Sequence, residues 1–304
     1  MLQILCRSAK AKGTAVSHVL LSGPPGLGKT TLARIVANEM GSGLVETIGG
    51  NLQAPEQLIG LLRSLKPLDI LFIDEIHAMP RSVEEILYPA MEDGMVPVVK
   101  TDASDFMKAL GVQAKPASEM VSLPPFTLIG ASTMSGLVSA PLRSRFAHEL
   151  TLEPYSLDDL TRIVLRASRA MGVELDIGVA LEVAKRSRST ARIAVGHLRW
   201  LLEYSSGLGV EPDLNAVREA FSMRDVDACG LTGQDRRYLS MLINANQPVG
   251  LTSVSAALNE TIETIEQAME PHLIREGLIR RAPRGRVATE RAREMFAMVQ
   301  EVSA

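Results

Sequence analysis

The sequence predicts an α/β protein: a parallel sheet with helices on both faces, then a small all-helical domain, then a winged helix. Three observations carry this prediction. From residue 19 to about 152, short apolar, β-branched runs alternate with helical stretches. Between 156 and 224, helical spacing continues with no strand-like run. Near the end of the chain, a tight turn joins two short segments behind three helical stretches. The 304 residues suffice for two or three domains, and boundaries are expected at 1–152, 153–226 and 227–304.

The first three strand runs are 18–22, 69–73 and 126–130. Each is continuously apolar rather than alternating, and Gly, Pro or charged residues bound it. A strand buried on both faces reads this way, as in a sheet wound by right-handed crossovers. Beyond Pro154, Ser156 with Asp158 and Asp159 starts a helix by capping and by its favourable position in the helix dipole. The stretches 176–188 and 193–204 supply two more helices. From 235 onward, three helical stretches precede 278–281, the turn Pro283-Arg284-Gly285 and 287–289. Helices followed by a tight hairpin make a winged helix.

Composition excludes several classes. With 46% hydrophobic and 22% charged residues the chain is not disordered. Aromatics at 4% argue against a base-stacking platform. Lys plus Arg number 32 against 35 Asp plus Glu, so a net charge of -3 confines any DNA contact to a local patch. Cys6 and Cys229 are too few and too far apart for a zinc site or a disulfide framework, and both are expected to be reduced, buried thiols. The N-terminus lacks a signal peptide's apolar run, and no stretch of about 18 apolar residues could span a membrane. The expected location is cytoplasmic.

The chemistry begins at Gly23-Pro24-Pro25-Gly26-Leu27-Gly28-Lys29-Thr30-Thr31. This is the G-x-x-x-x-G-K-[ST] pattern between a strand and a helix, the context in which it binds phosphates. The glycines let backbone N–H groups curl around phosphate oxygens, and the helix start adds its dipole. Lys29 neutralises the β- and γ-phosphates, and the Thr30 hydroxyl is placed to ligate Mg²⁺, so ATP and Mg²⁺ are the expected cofactors. Asp74 and Glu75 emerge from the strand 69–73, 45 residues after Lys29. The carboxyl ends of open α/β sheets are where ligands bind. Asp74 is assigned to Mg²⁺ through water, and Glu75 to polarising the attacking water.

These residues, with Ile76, His77 and the tract Leu87-Tyr88-Pro89-Ala90-Met91-Glu92-Asp93, resemble the RuvB family of AAA+ ATPases, which drive Holliday-junction branch migration. The resemblance continues through Phe126 to Thr133, Ala140 to Phe146, Glu270 to Arg275 and Ala282 to Thr289, so it touches all three domains. It implies an AAA+ core, a lid domain and a winged-helix DNA-binding domain. It implies that Thr133 is the sensor 1 residue. It places Arg145 as an arginine finger reaching the ATP of the neighbouring subunit, with Arg143 as the competing candidate. It implies that Arg192 is sensor 2, carrying nucleotide state to the lid. It further implies a homo-oligomeric ring, a hexamer, and a RuvA-type junction-binding partner docking on a hairpin that Met95 to Lys100 begins. The segment 102–111 is expected to form a helical or irregular tip. His197 and Trp200 are expected to be core or lid-interface residues rather than ligands.

The expected DNA contact is the wing. The last domain holds no lysine, and from 275 to 293 seven arginines face two glutamates, a net +5. Arg280, Arg281, Arg284 and Arg286 flank or occupy the turn and are assigned to duplex or four-way-junction backbone. Glu263, Glu266 and Glu270 recur at i, i+3 and i+7, an acidic stripe that would keep its helix out of a groove. Two alternatives share these motifs. One is a mobile-element AAA+ ATPase that remodels DNA with a different partner. The other is a nucleotide-switched DNA scaffold without turnover.

Overall fold

The computed structural model describes residues 1–99, 118–245 and 247–302. They form two compact units, Met1–Pro154 and Tyr155–Ala304.

In the first unit the strands in chain order are β1 (Val19–Ser22), β2 (Leu44–Ile48), β3 (Ile70–Asp74), β4 (Met95–Val99), β5 (Ser118–Ser122), β6 (Thr127–Ser132) and β7 (His148–Thr151). Five of these make a parallel sheet in the order β2-β3-β6-β1-β7. Successive side chains of a strand point to opposite faces, and here both faces are covered. On one face Leu20, Leu71, Ile73 and Leu128 meet Leu58, Leu62, Val83 and Leu87 of the helices Pro55–Ser64 and Arg81–Glu92. On the other, Leu21, Phe72, Ile129 and Ala131 meet Ala33, Val36 and Ala37 of Lys29–Met40, and Cys6 and Ala9 of Leu2–Lys12. This double burial is why β1, β3 and β6 read as unbroken apolar runs. The edge strands β2 and β7 are half-buried and carry Glu46, Thr47, His148 and Glu149, so no such run marks them in the sequence.

β4 and β5 pair antiparallel as a separate hairpin, with Met95 opposite Ser122. The expected strand start at Met95 is therefore present. The expected tip at 102–111 lies outside the described residues.

The second unit opens with four helices: Leu157–Ala170, Ile177–Lys185, Ala191–Leu208 and Leu214–Met223. The Ser156 hydroxyl accepts the Asp159 N–H at 3.1 Å, and Asp176 accepts the Gly178 N–H at 2.7 Å. These caps stop the helices from fraying at their first turn. Leu160, Val164, Val183, Leu198 and Phe221 form the centre of this bundle. Trp200 packs against it and donates to the Ala220 carbonyl at 2.7 Å, while His197 stacks edge-on to Phe221.

The same unit continues through the helices Gly233–Ala245, Leu251–Leu258 and a helical stretch from Ile262 to Arg275. The hairpin follows: β8 (Ile279–Ala282) antiparallel to β9 (Gly285–Ala288). Gly285 has φ 144, and a Cβ there would lie 2.1 Å from the Val249 carbonyl oxygen, because Val249 and Arg286 exchange two backbone hydrogen bonds. The last helix, Glu290–Val302, is not anticipated by the sequence reading. It packs Ala292 into the core formed by Tyr238, Leu242 and Leu273.

Arg188 ties the bundle to the winged part. Its Nε donates to the Gly230 carbonyl at 2.9 Å and its Nη2 bonds the fully buried Asp235, while Arg275 donates to the Arg188 carbonyl at 2.8 Å. Arg188 and Ser189 both adopt left-handed backbone, φ 50 and 54. The cysteine expectation needs one correction: Cys6 is buried, but Cys229 is exposed in the loop before Gly230.

Candidate functional site

The carboxyl ends of β3, β6 and β1 lie side by side in the middle of the sheet. Ser22 is level with Ser132, and Ile73 with Gly130. The glycine-rich loop leaves β1 at this point. Gly23, Gly26 and Gly28 all have positive φ (140, 78 and 93), and a Cβ on Gly23 would come within 2.6 Å of the Leu152 carbonyl oxygen. No side chain caps the helix Lys29–Met40 that follows. Its first N–H groups and its dipole therefore face whatever anion the loop encloses. Lys29 is buried, and its Nζ donates to the Gly23 and Pro24 carbonyls at 2.8 and 3.0 Å, closing the loop on itself.

Asp74 ends β3, and its carboxylate accepts the Glu75 N–H at 3.1 Å. Glu75 then takes left-handed torsions, φ 46 and ψ 50. This turn carries its carboxylate toward the end of β6. There Oε2 accepts the Thr133 N–H at 3.0 Å and the Thr133 hydroxyl at 2.8 Å. His77 Nδ1 lies 3.3 Å from the same oxygen and 2.9 Å from the Ser132 hydroxyl. This one nitrogen is therefore within reach of both the carboxylate and the hydroxyl. Glu75 and Thr133, paired only as separate motifs in the sequence, are thus one hydrogen-bonded unit.

Thr30 and Asp74 supply a hydroxyl and a carboxylate oxygen. These hard donors suit Mg²⁺, which keeps several waters and leans on substrate phosphates. Among the described residues no group of three or more His, Cys, Asp or Glu is placed to hold a metal. The Thr30 hydroxyl and Asp74 carboxylate are thus the oxygen donors that could hold Mg²⁺ beside a bound nucleotide.

Arg145 sits just past the short helix Ala140–Arg143. Its guanidinium stacks on the Tyr88 ring at 4.1 Å, and Nη1 donates to the Pro141 carbonyl at 2.6 Å. Nε lies 3.3 Å from the Glu92 carboxylate. Arg143 is turned toward β7, where it pairs with Glu149 at 2.9 Å. Arg192 belongs to the second unit and is exposed in the first turn of Ala191–Leu208.

The wing differs from expectation in one respect. The helical stretch before it widens into a π-helical turn at Ile265–Met269, which breaks the i, i+3, i+7 register of the supposed acidic stripe. Glu270 turns inward and is fully buried, where Arg281, Arg286 and Tyr238 all donate to its carboxylate. Burial alone would raise the Glu270 pKa, but these donors, Arg286 first, hold it below the ordinary carboxylate value. Arg286 also pairs with Glu266 at 2.7 Å and is 13% exposed. Its guanidinium is engaged by two carboxylates of its own domain. Arg280, Arg281 and Arg284 stay exposed, with Arg281 sharing Glu270.

Comparison with known families places this geometry. Residues 1–152 match the model of the Holliday junction DNA helicase RuvB P-loop domain. Residues 155–227 match the RuvB AAA lid domain, and 228–297 the RuvB C-terminal winged helix domain. The chain belongs to the RuvB family. Among solved structures, a point variant of Thermotoga maritima RuvB is 36% identical, with a TM-score of 0.83, covering 97% of this chain and 93% of its own. A second T. maritima RuvB structure, described as a Holliday junction branch migration motor, is 36% identical with a TM-score of 0.81, covering 97% and 92%. The fold is therefore the RuvB fold: a parallel-sheet P-loop domain, a lid and a winged helix. Within that frame, sequence reasoning missed His77, Ser132 and the residues that hold Arg145. His77 lies two residues past Glu75 in the motif, but nothing local says that it faces Ser132, 55 residues away. No described helix is long and apolar enough to cross a membrane.

Proposed function

We infer that the chain is an ATP-driven DNA motor of the RuvB family that moves Holliday junctions by branch migration. The observation that carries this is the pairing of Glu75 with Thr133 at the mouth of the phosphate loop, in a chain whose three segments all match the family. A protein that only bound nucleotide would have no use for a water-polarising acid held this way.

The phosphate loop, residues 23–31, encloses the ATP phosphates, with Lys29 as their counter-charge. Thr30 and Asp74 hold Mg²⁺, which when bound spreads the charge of the β- and γ-phosphates. Glu75 polarises the attacking water, a contribution of about 10²–10⁴ in rate. Thr133 orients Glu75 and reads the γ-phosphate. Arg145 acts on the neighbouring subunit's ATP, a contribution of about 10³–10⁵. Arg192 carries nucleotide state to the lid. The working form is a homo-oligomeric ring, a hexamer, in the cytoplasm. The three family segments act as core, lid and DNA-binding head. Arg280, Arg281 and Arg284 hold DNA backbone without reading bases, since arginine forks suit phosphate oxygens. The β4–β5 hairpin offers the docking surface for a RuvA-type partner.

The test is ATP hydrolysis by the full chain, alone and with duplex and four-way-junction DNA, against Glu75→Gln as the blank. Turnover that rises with DNA and vanishes in the blank is the expected result. ATP binding without turnover under every DNA condition would overturn the motor reading.

A further inference from the structure

A finger that acts across a subunit boundary has a physical problem. Arginine has four freely rotating side-chain torsions, and every one that must be frozen in the transition state slows the reaction. Pre-organisation removes that cost, and a group that holds the guanidinium in advance contributes to rate without touching substrate.

Helix Arg81–Glu92 supplies such a holder. Glu84, Tyr88 and Glu92 fall at i, i+4 and i+8 and therefore share one face. Tyr88 lies flat under the Arg145 guanidinium at 4.1 Å, a cation–π contact. Glu92 flanks the same group, with Nε 3.3 Å from one carboxylate oxygen and Nη2 3.5 Å from the other. Glu84 works one step back. It is 8% exposed and accepts hydrogen bonds from both the Tyr88 and Ser139 hydroxyls. Ser139 in turn caps the helix Ala140–Arg143 by accepting the Leu142 N–H at 3.2 Å. One helix face therefore holds Arg145 directly, its side chain through Tyr88 and Glu92, and indirectly, through Glu84 and Ser139 at the start of the short helix whose Leu142 carbonyl accepts the Arg145 N–H. Nη1 and Nη2 each carry two N–H groups, and one of each is used, on Pro141 and on Glu92. Among the described residues the other two carry no hydrogen bond and point to an outside oxyanion as their acceptor.

We propose that Tyr88, backed by Glu84 and Glu92, is the positioning residue that aims Arg145 at the nucleotide of the neighbouring subunit. This rests on the assignment of Arg145 as a finger acting in trans.

The test uses full-length chains, DNA-stimulated ATPase and subunit mixing. Tyr88→Leu removes the ring, and kcat is expected to fall about tenfold or more with KM for ATP unchanged, the size of a desolvated cation–π contact. Tyr88→Phe keeps the ring and is expected within about twofold of wild type. Glu75→Gln is silent alone but carries an intact finger. Mixed with it, Tyr88→Leu is expected to regain turnover, because its own complete site then borrows a well-aimed Arg145. Arg145→Ala serves as the control for the same recovery. If Tyr88→Leu hydrolyses ATP at the wild-type rate, or if Tyr88→Phe is as slow as Tyr88→Leu, the proposal is overturned. If Arg145→Ala is rescued by mixing and Tyr88→Leu is not, Tyr88 is a folding residue and the positioning role is overturned alone. If Arg145→Ala keeps full activity, the finger assignment falls, and this proposal falls with it.

Discussion

At the scale of single residues, Glu75 is the most informative. A non-glycine residue in the left-handed region costs about 1 kcal/mol or more, and such strain persists only where the surroundings over-determine it. Here φ is 46, and Thr133 and His77 both hold the carboxylate that this turn delivers. The strain and the hydrogen bonds therefore serve one placement. The Thr133→Val variant keeps the size of the side chain and the N–H contact but loses the hydroxyl. It is expected to lower kcat about a hundredfold, toward the low end of what a general base contributes, with nucleotide affinity little changed. Steady-state hydrolysis beside an equilibrium nucleotide-binding titration checks this, and equal losses in both would sink it.

At the scale of elements, the winged helix separates structural arginines from those free to meet DNA. Glu270 is fully buried with two arginines and a tyrosine around it. Taking away Arg286 leaves this buried carboxylate without its main cation, at about 3–5 kcal/mol. Arg286→Met is thus expected to lower the melting temperature of the protein sharply. Arg284→Ala touches none of this network. It is expected to leave the melting temperature unchanged, weaken binding to duplexes of any sequence alike, and reduce the salt dependence of binding by about one ion. Thermal melts paired with salt-titrated binding tell the two apart. An unchanged salt slope in Arg284→Ala would remove the wing as the contact.

At the scale of the whole molecule, the second unit carries a pH dependence of its own. Burial pushes His197 and His272 down to about 4, with nearby arginines adding to the effect: Arg224, Arg188 and Arg186 on His197, and Arg188 and Arg275 on His272. The neutral form is the folded form. An unfolded chain takes up these protons near pH 6.5, the ordinary value, while the folded chain does not until about 4. The stability these groups contribute is complete above 6.5 and is lost as pH falls through that window. Melting measured from pH 7 to 4.5 is expected to show this decline, and His272→Gln is expected to flatten it. An equally steep decline in that variant would refute the assignment to His272. Arg188, which bonds Gly230 and Asp235, links the bundle to the winged part in the same unit. Protonation that loosens it would be felt on both sides.

Much of this protein is legible in its sequence because the signals are local. Double burial makes β1, β3 and β6 unbroken apolar runs, positive-φ glycines spell out the phosphate loop, and Pro283-Arg284-Gly285 marks the wing turn. Each depends on neighbours within a few residues, so the chain alone determined the α/β class, the loop, the acidic pair and the hairpin. The tertiary structure decided what contacts across long separations decide. Half-buried edge strands carry too few apolar residues to announce themselves. The meeting of Glu75 with Thr133 across 58 residues, and of Arg145 with Tyr88 and Glu92, comes from strand order and helix packing. The π-helical turn at Ile265–Met269 rotates Glu270 inward and converts Arg286 from a surface cation into a core ion-pair partner. No local periodicity encodes that outcome, because a charged side chain enters a core only where distant partners are already in place to satisfy it.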